Sequence, residues 1–200
     1  MTVTTASATR ISRDPTVLRS IKQEECSLTI WERTPLARME QLLEGAPKDI
    51  RLDTSLAGIG SSFSNALVTH GFAKPFAHPL LVEDVSGLAE LYCSILGIDE
   101  LEVRLEVVTT NSCRKFHADY VTARLITTYV GAGSNWLDAD DADRVKEGLE
   151  PRKIHSLTTG DVGIFKGKLA LGRPAIHRSP PIAGTGQKRL LLALNPIEQE

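Results

Sequence analysis

The chain changes period at Leu101, and few folds accommodate both halves of that change. Before it, Leu80, Leu81, Val85, Leu88, Leu91, Tyr92, Ile95 and Leu96 recur at helical spacing, and Gly97 stands where a left-handed C-cap belongs. These residues predict an amphipathic helix packed on a core. After it, Leu101-Glu-Val-Arg-Leu-Glu-Val-Val108 alternates, which predicts a strand with one apolar and one charged face. The class that holds both is α+β, with residues 16–100 as a mostly helical buttress and residues 101–196 as a β-rich core.

Short apolar runs between Gly and Pro turns in the second half suit a double-stranded β-helix, the jelly roll of cupin-like proteins. Upstream, Ser27-Leu-Thr-Ile-Trp31 reads as a strand, and Leu36 to Leu43 as a short helix entered through Thr34-Pro35. Residues 53–78 give no assignment beyond a short helix near Asn65 to His70. The Ser/Thr-rich start predicts a disordered tail over residues 1–15, followed by one domain over 16–200. Gly131-Ala-Gly133 lacks the Gly-x-Gly-x-x-Gly form and reads as a tight turn.

The charge balance of 23 basic against 25 acidic residues excludes the basic footprint that phosphate backbones require, so no nucleic-acid partner is expected. No apolar stretch approaches a membrane span or a signal-peptide core, so no membrane partner is expected either. Cys26, Cys93 and Cys113 are odd in number and widely spaced, which suggests neither a disulfide framework nor a zinc knuckle and fits a reducing cytoplasm.

His117-Ala118-Asp119 is the pattern that carries chemistry. Residues two apart on a strand point to one face, so this imidazole and carboxylate can grip one ion together. His177 is the candidate third ligand, completing a 2-His-1-carboxylate set that leaves coordination positions open for substrate and oxygen. A His-x-Asp pair alone is more readily a surface feature. The surrounding order adds to it: a strand Arg124 to Val130 ending in Gly131-Ala-Gly133, a Gly160 to Phe165 segment before His177, and Gln187-Lys188-Arg189 opening an apolar strand after it.

This layout, over roughly residues 113–195, resembles the core of the Fe(II)/2-oxoglutarate-dependent oxygenases, in particular the prolyl-hydroxylase-like branch. The phrasing Cys113-Arg-Lys-Phe-His117-Ala-Asp119 and His177-Arg-Ser-Pro-Pro181 also resembles a bacterial domain-of-unknown-function family, number 1826, across most of the chain. The first resemblance implies Fe(II) on His117, Asp119 and His177, 2-oxoglutarate as cosubstrate, and hydroxylation of a small molecule or a protein side chain. The second keeps open a non-enzymatic metal-binding protein linked to zinc homeostasis, for which Cys113 and His155 would be recruited as further ligands.

For the distal carboxylate of 2-oxoglutarate, the first resemblance implies a cation just after His177. Alternation along the last strand does not separate Arg189 from Lys188, and we take Arg189 because its planar fork meets a carboxylate bidentately. Tyr129 is a second candidate for that carboxylate, with simple packing an equal alternative. Arg124 and Thr127 are assigned structural roles. His70 and His78 read as satisfied or surface histidines, and Ser179 has no flanking Gly to make it a nucleophile elbow. Trp136 and the stretch Asp138 to Asp143 are candidate pocket walls or lid, the latter more readily a solvated helix start.

Overall fold

In a computed structural model, which describes residues 8–72, 76–111 and 113–197, ten strands form two sheets. In chain order the elements are β1 (Thr9–Ser12), β2 (Leu28–Trp31), β3 (Ile50–Ser55), α1 (Ile59–Thr69), α2 (Ala77–Leu96), β4 (Glu100–Val108), β5 (Ala123–Val130) and β6 (Asn135–Trp136). They continue with α3 (Ala139–Lys146), β7 (His155–Ser156), β8 (Val162–Lys166), β9 (His177–Arg178) and β10 (Arg189–Pro196). The large sheet has seven strands in the order β1-β2-β8-β5-β10-β4-β3, and the small one three in the order β7-β6-β9. All pairings are antiparallel except β1 with β2.

The two faces of the large sheet are buried against different partners. Leu101, Val103 and Leu105 of β4, Leu125 and Tyr129 of β5, and Leu190, Leu192 and Leu194 of β10 join one core with α1 and α2. On the other face Ile30, Ile126, Phe165 and Leu191 meet Trp136 of the small sheet. The alternation of β4 is thus realised, but its charged face looks across at the small sheet, where Glu102 is buried. The long helix is also as its spacing predicts: α2 runs to Leu96 and ends on Gly97 at φ 72°, whose N–H reaches the Cys93 carbonyl at 2.7 Å.

Several expectations are corrected. Residues 9–15 are ordered and not tail, because Thr9–Ser12 pairs with β2 and Asp14 caps a 3-10 helix over Pro15–Lys22; residues 1–7 lie outside the described residues. The stretch 16–100 is mostly helical but is not only a buttress, since it contributes β2 and β3 to the large sheet, with β1 just before it. β3 carries one fully buried side chain, Ile50, because it is an edge strand, so its apolar periodicity is faint. The helix expected from Leu36 to Leu43 is a 3-10 turn over Met39–Leu43, preceded by Arg38 at φ 65°, which no regular helix entry permits. The unassigned stretch holds β3 and α1, the latter starting at Ile59 instead of near Asn65. Asp138 to Asp143, by contrast, is the helix start that its charge pattern favours, with Asp138 accepting from the Asp141 N–H.

The Gly131-Ala-Gly133 turn has two separate reasons for its glycines. Gly131 sits at φ 82°, and a Cβ on Gly133 would lie 2.0 Å from the Leu157 carbonyl oxygen. Gly133→Ala must therefore push Ser134 away from Leu157 and strain the Leu157 N–H to Ser134 carbonyl bond of 2.9 Å. We expect a loss of about 2 kcal/mol or more, a fall in Tm of roughly 5 °C by calorimetry; an unchanged Tm would mean the turn relaxes freely.

Candidate metal centre

His117 and His177 are brought together by backbone pairing. They form an isolated antiparallel bridge, each N–H donating to the other's carbonyl at 2.9 Å, which puts both side chains on the same face with ring centroids 4.8 Å apart. Asp119, two residues on from His117, shares that face. Among the described residues, His117, Asp119 and His177 are the one group of three metal-ligating side chains whose ligand atoms all lie within 4.8 Å of one another. His177 Nε2 is 3.3 Å from Asp119 Oδ2, and His117 Nε2 is 3.7 Å from Oδ1.

Each imidazole places its Nδ1 against a main-chain carbonyl, Lys115 at 2.9 Å for His117 and Ala175 at 3.4 Å for His177. A proton on Nδ1 leaves the Nε2 lone pairs aimed at the carboxylate, the tautomer that metal-bound histidines adopt. Asp119 Oδ1 accepts from Arg124 Nη1 at 2.6 Å, whereas Oδ2 is buried without a hydrogen-bond partner. Burial works to raise this carboxyl, and the opposing charges that outweigh it are His177 and His117 when their rings carry a second proton, together with Arg124; with the rings neutral, a cation must take that place. A buried carboxylate oxygen facing two imidazole lone pairs wants a cation. The site fits a divalent metal with Asp119 binding through Oδ2 alone, because octahedral ligands about 2.1 Å from an ion stand about 3 Å apart.

Arg189 is fully buried and hydrogen-bonds only neutral groups. Its Nε donates to the Ala132 carbonyl at 2.5 Å, Nη1 to Ser179 Oγ at 3.0 Å, and Nη2 to Ser134 Oγ at 3.4 Å and Thr128 Oγ1 at 3.5 Å. Burial pushes its pKa down to about 10, opposed by the charge of Glu106. Lys188 is exposed. Ser179 and Ser134 line a cavity of about 100 Å³ together with His117 and His177, over an apolar floor of Ile126, Leu191 and Ala193. That volume suits a small organic acid, not a drug-sized ligand. The larger clefts, about 610 and 670 Å³, open elsewhere, around Trp31 and Arg33.

Tyr129 is not part of this site, which corrects its assignment as a cosubstrate ligand. Its hydroxyl donates to Asp84 Oδ2 at 2.6 Å, and Asp84 also pairs with Arg33, on the helix-covered face of the sheet. Burial, then the Asp84 charge, hold its phenol protonated. Thr128, one residue earlier, is on the Arg189 face. The four-ligand zinc set is not assembled: His155 stacks on Trp136 at 4.2 Å and lies 3.7 Å from Asp138, and Cys113, exposed at φ 54°, lines the cavity without joining the three ligands. Trp136 is buried between the sheets as part of the second apolar core and does not line the cavity. His78 reaches Ser64 Oγ at 3.3 Å, while His70 Nδ1 has no partner among the described residues.

Sequence reading missed the support behind Asp119. Arg124 also donates to Asn195 Oδ1 at 2.6 Å, Asn195 Nδ2 donates to Glu102 Oε1 at 2.7 Å, and Glu102 takes Arg104 at 2.6 Å and Arg51 as well. Strand parity was the available signal, since Arg124 and Thr128 share one face of β5. Burial works to raise the Glu102 carboxyl, but Arg104, Asn195 and Arg51 outweigh it and hold it low. A depressed folded pKa adds stability that is complete above the unfolded value of about 4.3 and is lost as pH falls through the folded one. Glu102→Gln should lower Tm at neutral pH, with the difference closing as pH falls through the depressed pKa of Glu102; a constant difference would remove Glu102 from acid unfolding.

A family model described as protein of unknown function (DUF1826) matches residues 12–195. No curated protein matches the chain. Similar solved structures include the rice dioxygenase for auxin oxidation, 11% identical over 90% of this chain and 76% of that one with TM-score 0.48. Pseudomonas putida prolyl-4-hydroxylase is 12% identical over 90% and 95%, with TM-score 0.43. A full-length Neurospora crassa protein, solved in complex with alpha-KG, is 13% identical over 93% and 78%, with TM-score 0.42. Among the described residues no helix is long and apolar enough to cross a membrane.

Proposed function

This chain belongs to the DUF1826 family, and from that premise and the geometry of its metal centre we propose that it is an Fe(II)- and 2-oxoglutarate-dependent oxygenase on a jelly-roll scaffold. The observation that carries the reading is an open three-ligand set whose two imidazoles line a small cavity, with the buried guanidinium of Arg189 directly behind two further lining residues, Ser179 and Ser134. A zinc-only structural site has use for four ligands and none for a buried Arg189.

His117, Asp119 and His177 would hold the iron on one face, and Arg189 would take the distal carboxylate of 2-oxoglutarate in the place between Ser179, Ser134 and Thr128. Iron with 2-oxoglutarate and dioxygen supplies the oxidising power to hydroxylate a C–H bond. The chain's own contribution is positional. Arg124 fixes the Asp119 rotamer and withholds Oδ1, the carbonyls of Lys115 and Ala175 set the imidazole tautomers, and Ile126, Leu191 and Ala193 keep the floor dry. Burial disfavours the charged form of Arg189, and an arriving carboxylate would favour it.

The test is metal content of protein purified without chelator, followed by calorimetric titration of the Mn(II)-loaded form with 2-oxoglutarate. We expect one divalent ion per chain and saturable 2-oxoglutarate binding that requires it. Cys113 at the cavity wall favours one rival, a closed zinc site. Tight zinc that is lost in Cys113→Ser, with no 2-oxoglutarate binding, would establish that rival instead.

A further inference from the structure

The cavity of the metal centre holds one carboxylate that neither the metal set nor the fold accounts for. Of the charged side chains lining it, Arg104 donates to Glu102 and Arg124 to Asp119 and Asn195. Arg178 lies over the Phe116 ring at 4.3 Å, and its buried Nε has no hydrogen-bond partner among the described residues. Glu106 is half-buried, and among the described residues its carboxylate has no hydrogen bond and no ion pair. The register places it directly across from Leu191, at the side of the apolar floor, and places Arg104 across from Ala193.

Glu106 is also the one anion whose field reaches Arg189 strongly enough to offset part of its burial. That relation is satisfactory only while the cavity is empty. When Arg189 takes the carboxylate of a cosubstrate, Glu106 loses its counter-charge and stands beside a second negative group over a dry floor, where like charges repel far more than in water. A positive charge brought by the substrate would restore the balance, and it would strengthen cosubstrate binding by the same factor by which the cosubstrate strengthens its own.

We propose that Glu106 selects substrates that carry an ammonium or guanidinium group. The inference rests on the oxygenase reading for the identity of the cosubstrate, but the charge selection follows from Glu106 itself. Calorimetric titration of the full chain loaded with Mn(II), with and without 2-oxoglutarate, tests it with two matched pairs of probes, L-lysine against L-norleucine and L-arginine against L-citrulline. In at least one pair the cationic member is expected to bind tenfold or more tightly, and Glu106→Gln is expected to erase that preference. In the same variant 2-oxoglutarate alone should bind several-fold more tightly than to wild type, because a repelling charge is gone. Equal binding within both pairs, a preference that survives Glu106→Gln, or no binding by either cationic probe would overturn the proposal. Failure of wild-type protein to bind 2-oxoglutarate would count against the oxygenase reading alone, since the probe comparison without 2-oxoglutarate still reports on Glu106.

Discussion

Arg189→Met is expected to weaken 2-oxoglutarate binding by two to three orders of magnitude while leaving divalent-metal affinity within a few-fold of wild type. Removing one partner of a buried charge pair costs about 3–5 kcal/mol, because the other charge is left desolvated, and each ~1.4 kcal/mol is a factor of ten. Methionine keeps most of the volume, so the loss is of charge and donors and not of packing. The variant should remain folded without ligand, since the burial penalty that holds Arg189 down to about 10 disappears with the guanidinium and offsets the lost bonds to Ala132, Ser179, Ser134 and Thr128. Calorimetric titration of the Mn(II) form, with a thermal melt of the same sample, separates the two effects. Unchanged 2-oxoglutarate affinity would remove Arg189 from the site.

Loss of the metal itself is the other large effect. His177→Ala should abolish tight Fe(II) or Mn(II) binding, since it takes away one of three ligands and the site has no fourth in place. Asp119→Ala should do the same but with an additional loss of stability, about 1–3 kcal/mol, because Arg124 then lies partly buried with only Asn195 as a side-chain partner. That ordering follows from the structure, as the sequence pattern treats the two ligands alike. Anaerobic metal titration and thermal unfolding of the metal-free proteins measure both. Wild-type metal affinity in His177→Ala would mean that His177 is a packing histidine against Phe165, 4.7 Å away.

What the sequence made legible divides along physical lines. The helix ending at Gly97 and the strand from Leu101 were visible because each has one apolar face and one polar one, so periodicity reports burial directly. The three ligands were visible because His-x-Asp parity is local, and only the distance to His177 needed a fold. Arg189 against Lys188 was not decidable from alternation. β10 is a central strand buried on both faces from Arg189 to Pro196, so apolar residues occupy both parities. The structure separates them by burial. Tyr129 was misread because its partner Asp84 sits on α2, and a pairing across 45 positions of chain leaves no local mark. β1 and β3 were missed as edge strands, half-exposed and short, where polar residues interrupt the pattern.

The network behind Asp119 has the same explanation. Arg124, Asn195, Glu102, Arg104 and Arg51 come from four different strands and meet only because β5, β10, β4 and β3 are consecutive in the large sheet. A chain of this kind, buried at Glu102 and Asp119 and open to solvent at Arg51, contributes less to net stability than its bond count suggests, because desolvation and solvent screening offset much of the attraction. Its consequence is orientation: Asp119 is left with one oxygen engaged and one free, which is what a single metal bond requires.

The central claim is that the three-ligand set and Arg189 act on one bound acid, and it is tested most directly by anaerobic titration of the Fe(II)-loaded protein with 2-oxoglutarate, followed by visible absorption. Chelation of the iron by the 2-oxo acid produces a metal-to-ligand charge-transfer band. We expect a saturable band in wild type that is absent in His177→Ala and requires much higher 2-oxoglutarate in Arg189→Met. Protein that binds one Fe(II) per chain and develops no such band at saturating 2-oxoglutarate would contradict it.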